Sequence, residues 1–293
     1  MTAAPTSTYL ERLSARSIEV GSVLCLGIDP DIGSLPSGFA RNLAGLESFA
    51  RLLVEVASPY AAAIKPNLAF FEAHGSAGMA ALERIRGTIP PGIPVIADGK
   101  RGDIGTTAAR QAVALFDALG VDAVTVNPYL GSEAVMPLLE RLDRFAYVLC
   151  RTSNPGAGEL QDLILASDDG APSETIYARV ARRASSWGPG GTVGLVVGAT
   201  APDELVRIRA VAPSLAFLVP GVGAQGGDIG AVLRSGPISA SAPGRWPGGG
   251  LLVNVSRGIS GAAIIEDLGG DLDPAERVRA AAADWAGRLP VLT

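Results

Sequence analysis

Short apolar runs of four to six residues recur through the whole chain and alternate with longer segments of helical periodicity. Eight runs read as strands: residues 23–28, 61–64, 94–97, 123–126, 146–150, 193–197, 216–219 and 251–255. Seven are near-continuously apolar, the pattern of strands covered on both faces; the fourth carries Thr125. Between them, residues 46–57, 108–118, 132–142 and 174–186 set apolar positions three and four apart, as helices do. Strands alternating with helices build βα units and a parallel sheet. Eight units in one series predict an α/β fold, a (β/α)₈ TIM barrel, with residues 1–293 as a single domain. The open doubly wound sheet is the alternative. Residues 156–170 and 235–250 read as loop elaborations on the barrel.

Nearly every run ends on polar or special residues: Asp29, Lys65, Asp98 with Lys100, Asn127, Arg151 to Asn154, Thr200, Pro220 and Arg257. In barrel enzymes the chemistry sits at this C-terminal face. Charged residues also mark where any strand leaves the core, but that does not account for two lysines, two aspartates and an arginine at corresponding edges.

The densest of these ends is Asp98-Gly-Lys100-Arg-Gly-Asp103, four charges in six residues directly after a buried strand. Alternation along a strand would point Asp98 and Lys100 the same way. A lysine between carboxylates is held as an ammonium. That does not suit a Schiff-base nucleophile, which needs a depressed pKa, and it suits a proton donor. A solvated surface ion pair, worth about 0–1 kcal/mol, is the plainer reading and fits four clustered charges poorly.

The Asp-x-Lys-x-x-Asp motif after the third strand resembles the orotidine 5′-phosphate decarboxylase suprafamily. Neighbouring segments narrow the likeness: Gly27-Ile-Asp29-Pro30, Ile64-Lys65-Pro66-Asn67, Thr125-Val-Asn127-Pro-Tyr-Leu-Gly131, Thr152-Ser153-Asn154-Pro155-Gly156, Pro220-Gly-Val-Gly-Ala-Gln225-Gly-Gly227 and Asn254-Val-Ser-Arg257-Gly258. Together, and in this order, they resemble the longer bacterial (type 2) orotidine 5′-phosphate decarboxylase subfamily. The resemblance implies a dimeric barrel that converts orotidine monophosphate to uridine monophosphate and CO₂ in pyrimidine biosynthesis, with no metal or other cofactor. It further implies Lys100 as proton donor, Asp98 facing the departing carboxylate, and Lys65 with Asp29 on the ribose hydroxyls. Asp103 and Thr107 would come from the partner subunit, Ser153 would bond the pyrimidine, and Gln225 with Arg257 would hold the phosphate.

Gly221-Val-Gly223-Ala-Gln-Gly226 also matches a dinucleotide-binding fingerprint. It follows the seventh strand rather than an early one, and residues 229–265 contain no Asp or Glu for a ribose, so that reading is rejected. Barrels commonly bind phosphate after strands seven and eight, and Arg257 can grip one bidentately. Of the enzyme alternatives, a magnesium-dependent sugar-phosphate decarboxylase or aldolase of the same suprafamily needs an acidic ligand near the end of strand two. Lys65 stands there and would repel a divalent cation. A silent nucleotide-binding barrel is the other alternative, and intact Asp98, Lys100 and Asp103 count against it.

Composition narrows the partners. With 24 basic and 29 acidic residues the net charge is −5, unsuited to a nucleic-acid backbone. Cys25 and Cys150 lie in apolar runs and read as buried thiols rather than a disulfide framework. His74 reads as a structural or surface residue on a helix away from the strand ends, and Trp187, Trp246 and Trp285 as packing. Asp168 and Asp169 read as a solvated loop tip. No signal peptide or membrane span is visible, so a cytoplasmic protein is expected.

Overall fold

The computed structural model describes residues 7–166, 173–223, 225–239, 247–264 and 273–292. Eight parallel strands form the barrel: β1 (Leu24–Ile28), β2 (Ala63–Pro66), β3 (Ile96–Arg101), β4 (Ala123–Val126), β5 (Phe145–Arg151), β6 (Val193–Val197), β7 (Ala216–Pro220) and β8 (Leu251–Val255). Neighbours in sequence are neighbours in the sheet, and β8 returns to pair with β1 through Leu24 and Val253. Parallel bridges from Ile64 to Val95 and from Asn67 to Asp98 join β2 to β3 and close the ring. This closure excludes the open doubly wound sheet.

Two apolar layers follow from the two-residue period of a strand. Leu24, Leu26 and Ile28, Val124 and Val126, Ala146 and Val148, and Leu251, Val253 and Val255 pack outward against the helices. The intervening residues Cys25, Ala63, Ile96, Ala123, Tyr147, Val196, Leu218 and Leu252 make a separate inner cluster. Both cysteines are buried free thiols, and burial pushes the Cys25 thiol up to about 12.

The inner cluster is completed by the N-terminal helix Tyr9–Val20. Thr8 and Glu11 form its capping box, and Gly21, in left-handed conformation, ends it. It inserts Tyr9, Leu10 and Leu13 among the inner residues. The Tyr9 ring stacks on Phe145 at 4.7 Å, and its hydroxyl pairs with that of Tyr147 at 3.1 Å.

The strands follow the sequence expectation within a few residues, whereas two helices differ. The expected helix 132–142 splits into a 3₁₀ turn, Ser132–Ala134, and a single helical turn, Met136–Leu139. Pro137 has no amide hydrogen to bond back to the Ser132–Ala134 turn, so it cannot continue one helix and instead sits in the first turn of a new one. The expected helix 174–186 begins only at Ile176, because Glu174–Thr175 pairs antiparallel with Ile164–Leu165. Within the two elaborations, residues 167–170, with Asp168 and Asp169, and residues 240–246, with Trp246, lie outside the described residues. Among the described residues no helix is long and apolar enough to cross a membrane.

If the N-terminal helix closes the barrel floor, Tyr9→Ala should destabilise by about 3–5 kcal/mol, the cost of emptying an aromatic site in a core. Denaturant unfolding measures it, and a loss below about 1 kcal/mol would contradict a floor held by this ring.

Candidate functional site

Above the apolar inner layer the same inward file turns polar. On β2, Ala63 is followed two residues later by Lys65; on β3, Ile96 by Asp98; on β4, Ala123 by Thr125. The Lys65 ammonium lies 2.7 Å from Asp98 Oδ2, and the Lys100 ammonium 2.8 Å from Asp98 Oδ1. Lys65 and Asp98 are enclosed, at 5% and 13% side-chain exposure, whereas Lys100 is 50% exposed and faces the mouth.

The pairing of Asp98 and Lys100 does not arise from simple alternation, as the sequence had suggested. Ala97 aligns with Val124 and Arg101 with Val126, so three residues of β3 face Thr125 alone. Lys100 has φ 47, and it is the only non-glycine in the left-handed region among the described residues. Thr125 Oγ1 donates to Asp98 Oδ1 at 2.9 Å and accepts from the Lys100 backbone amide at 3.0 Å.

Burial works against the Lys65 ammonium, but the carboxylates of Asp29 and Asp98 outweigh it and hold its pKa above the usual lysine range. Burial also works against the Asp98 carboxylate; Lys65 and Lys100 outweigh that and hold its pKa well below the usual carboxylate range. The result is an alternating row of charges: Asp29, Lys65, Asp98, Lys100.

A cleft of roughly 130 Å³ leads from Asp29 past Asn254 and Ser256 to Gln225, Arg257 and Gly258. Asp29 Oδ1, Asn254 Oδ1 and Ser256 Oγ are buried here with no hydrogen-bond partner among the described residues. Gly221, at φ +102, turns the chain sharply after β7. Gly258 must lack a side chain because a Cβ would come 2.8 Å from Trp285 Nε1, and that indole donates to the Gly258 carbonyl at 3.1 Å. The helix Pro274–Arg288 thereby props the helical turn Arg257–Ser260 that carries Arg257. Gln225 Oε1 accepts from Ser153 Oγ at 3.1 Å, joining the loops after β5 and β7.

The structure therefore gathers Asp29, Lys65, Asp98 and Lys100 at one end of the mouth and Gln225 and Arg257 in the adjoining cleft, with Ser153 bonded to Gln225. It does not bring Asp103 or Thr107 to them. Asp103 Oδ1 accepts from the adjacent Ile104 amide, and among the described residues Asp103 makes no ion pair with Lys100. Thr107 is exposed on the helix Gly105–Ala112. His74 precedes the helix Gly75–Arg86 rather than lying within it, and it borders a shallow cleft with Pro30 and Asp31 just beyond β1, nearer the strand ends than expected. Sequence reasoning missed Thr125 and Asn254 as site residues. Their signal was a polar residue breaking an apolar strand.

A polar cleft after strands seven and eight, beside lysines and carboxylates at the barrel mouth, lies where β/α-barrel enzymes commonly hold the phosphate of a substrate, and the fold and site define an enzyme of that class. The profile of the "Orotidine 5'-phosphate decarboxylase / HUMPS family" matches residues 22–266, and the chain belongs to this family. It is 47% identical over 253 residues to an orotidine 5′-phosphate decarboxylase of Thermomicrobium roseum, covering 86% of each chain. It superposes on the Leishmania donovani OMP decarboxylase with TM-score 0.79 at 40% identity, covering 96% of this chain and 97% of that one. It also matches Leishmania donovani UMP synthase with TM-score 0.80 at 41% identity, covering 96% of this chain but only 56% of that longer one.

The charge row has a stability signature. Because the Asp98 pKa is lowered on folding, its contribution is complete above the ordinary carboxylate value of about 4 and fades as pH falls below it. Lys65 has the opposite sign: its contribution is complete below about 10.4 and is lost as pH rises through its raised folded value. The denaturant midpoint of the wild type should fall from about pH 5 to about pH 2 more steeply than that of Asp98→Asn. Equal acid limbs in the two proteins would refute the assignment.

Proposed function

We propose that this protein is an orotidine 5′-phosphate decarboxylase that acts without a metal or other cofactor and supplies uridine monophosphate in the cytoplasm. The observation that carries the reading is the Lys65–Asp98–Lys100 chain of ion pairs at the barrel mouth, beside a cleft that ends on Arg257. Family membership adds independent support.

In this reading Arg257 and Gln225 hold the phosphate, Asp29 and Lys65 the ribose hydroxyls, and Ser153 the pyrimidine. The carboxylate on the ring then lies against Asp98. The bond from the ring carbon to the carboxylate breaks, CO₂ leaves, and the electron pair stays on the carbon. The Lys100 ammonium stabilises that charge, transfers a proton from Nζ to the carbon, and is reprotonated from solvent. Opposite unit charges about 4 Å apart attract by about 4 kcal/mol at an effective dielectric of about 20, enough to matter to a barrier. A group fixed before the charge develops needs little reorganisation, and the ion pair with Asp98 supplies that fixing.

The partner in this reading is a second copy of the chain. Ile104, Tyr129 and Leu130, on the loops after β3 and β4, are exposed apolar side chains, and Ile104 directly follows Asp103, whose carboxylate makes no ion pair among the described residues. A two-fold mate seated there would cover them, and its Asp103 and Thr107 would complete the site.

Chelator-treated protein should decarboxylate orotidine monophosphate at the untreated rate; loss of activity on chelation would point to the metal-dependent branch of the family. Lys100→Ala should lower kcat by at least about 10³-fold, the scale of losing a group that meets the transition-state charge. Near-normal turnover in that variant would end its role as donor. Mixing Lys100→Ala with Asp103→Ala subunits should restore activity, to about a quarter of wild type for random exchange between equal amounts, because each mixed dimer regains one intact site. No recovery despite demonstrated exchange would rule out a shared site.

A further inference from the structure

We infer that Thr125 is a positioning residue, whose single hydroxyl sets Asp98 and Lys100 in register with each other. The inference rests on the decarboxylase reading above for what that register accomplishes.

Thr125 is 2% exposed in a strand that is otherwise apolar, between Val124 and Val126 in the outer core. A buried threonine can satisfy its hydroxyl by donating to any nearby carbonyl. Here both of its bonds go to the two charged residues of the bulge. Oγ1 accepts from the Lys100 amide at 3.0 Å and donates to Asp98 Oδ1 at 2.9 Å, and that same oxygen accepts from Lys100 Nζ at 2.8 Å. The bonds form a closed ring that begins and ends on Lys100.

The ring answers a backbone problem. Three residues of β3 face one of β4, so the Lys100 amide has lost the carbonyl that a regular ladder would offer. Lys100 also carries φ 47, a conformation unfavourable for a side chain with a Cβ. Thr125 Oγ1 supplies the missing acceptor and so holds the strained backbone. Its proton goes to Asp98 Oδ1, leaving Oδ2 for Lys65. One hydroxyl therefore fixes where the Lys100 side chain starts and which Asp98 oxygen it meets.

Valine matches threonine in shape but can neither donate nor accept, so Thr125→Val tests the ring. Its kcat should fall by about 10²-fold, the scale of a displacement of about 1 Å in a reacting group, while KM and the Kd for uridine monophosphate stay within about threefold. Thr125→Ser, which keeps the hydroxyl, should recover most of the rate. A merely structural role would lower melting temperature without this split or this rescue. A Val kcat within about threefold of wild type, or equal losses in the Val and Ser variants, overturns the proposal. Should the Val variant fail to fold, Thr125→Ala against Thr125→Ser makes the same comparison. A second readout needs no substrate: hydrogen exchange at the Lys100 amide should speed up by at least about tenfold in the Val variant and not in the Ser variant. Unchanged exchange overturns the ring. Wild-type protein that does not turn over orotidine monophosphate, yet shows the exchange effect, fails the functional reading and leaves the positioning role standing.

Discussion

An ammonium group inside an apolar barrel can persist only if carboxylates reach it, and Lys65 imposes that condition here. Its side chain is almost wholly enclosed, so it must meet Asp98 directly and Asp29 through the field between them. Asp98 is enclosed as well and has a second oxygen to satisfy, which draws in Lys100 and Thr125. Removing one member of such a buried set leaves a charge uncompensated, which costs far more than a surface pair is worth. The mouth is therefore a single electrostatic unit whose parts come from β2, β3, β4 and the end of β1.

The barrel makes that unit possible by separating two jobs along each strand. Inward residues near the N-terminal end are apolar and are sealed by Tyr9, Leu10 and Leu13 of the first helix. On β2, β3 and β4 the inward residues near the C-terminal end are the charged Lys65 and Asp98 and the hydroxylated Thr125. Outward residues of the same strands pack on helices throughout. Cys25 sits below the charge row as a neutral thiol, its ionised form disfavoured by burial. The rigid lower layer fixes backbone positions, and fixed backbone gives the upper layer its geometry.

Much of this was legible because strand periodicity is local. Eight apolar runs could be counted, and the polar residue ending each could be read off. The densest cluster, from Asp98 to Asp103, pointed to proton chemistry because a lysine among carboxylates has few other uses. The bulge at Lys100 was not legible, since nothing in Asp-Gly-Lys-Arg says that three residues will face one on the next strand. Thr125 was visible as an oddity in β4 but had no partner until β3 was laid beside it. The N-terminal helix escaped notice although Thr8 and Glu11 spell a capping box, because its importance lies in what it covers. Trp285 read as packing, and it does pack, but its indole also bonds the carbonyl of Gly258 beside Arg257.

The sequence by itself determined the barrel class, the end of the barrel where chemistry belongs, and the motif around Lys100, all of which depend on spacing along the chain. Tertiary structure alone decided that Asp98 bridges two lysines, that Thr125 ties both the backbone and the carboxylate of the bulge, and that Asp103 makes no ion pair among the described residues. Those facts depend on register between strands far apart in sequence. Register is set by closure of the whole ring and the packing of its inner layer, and no local pattern of residues encodes it.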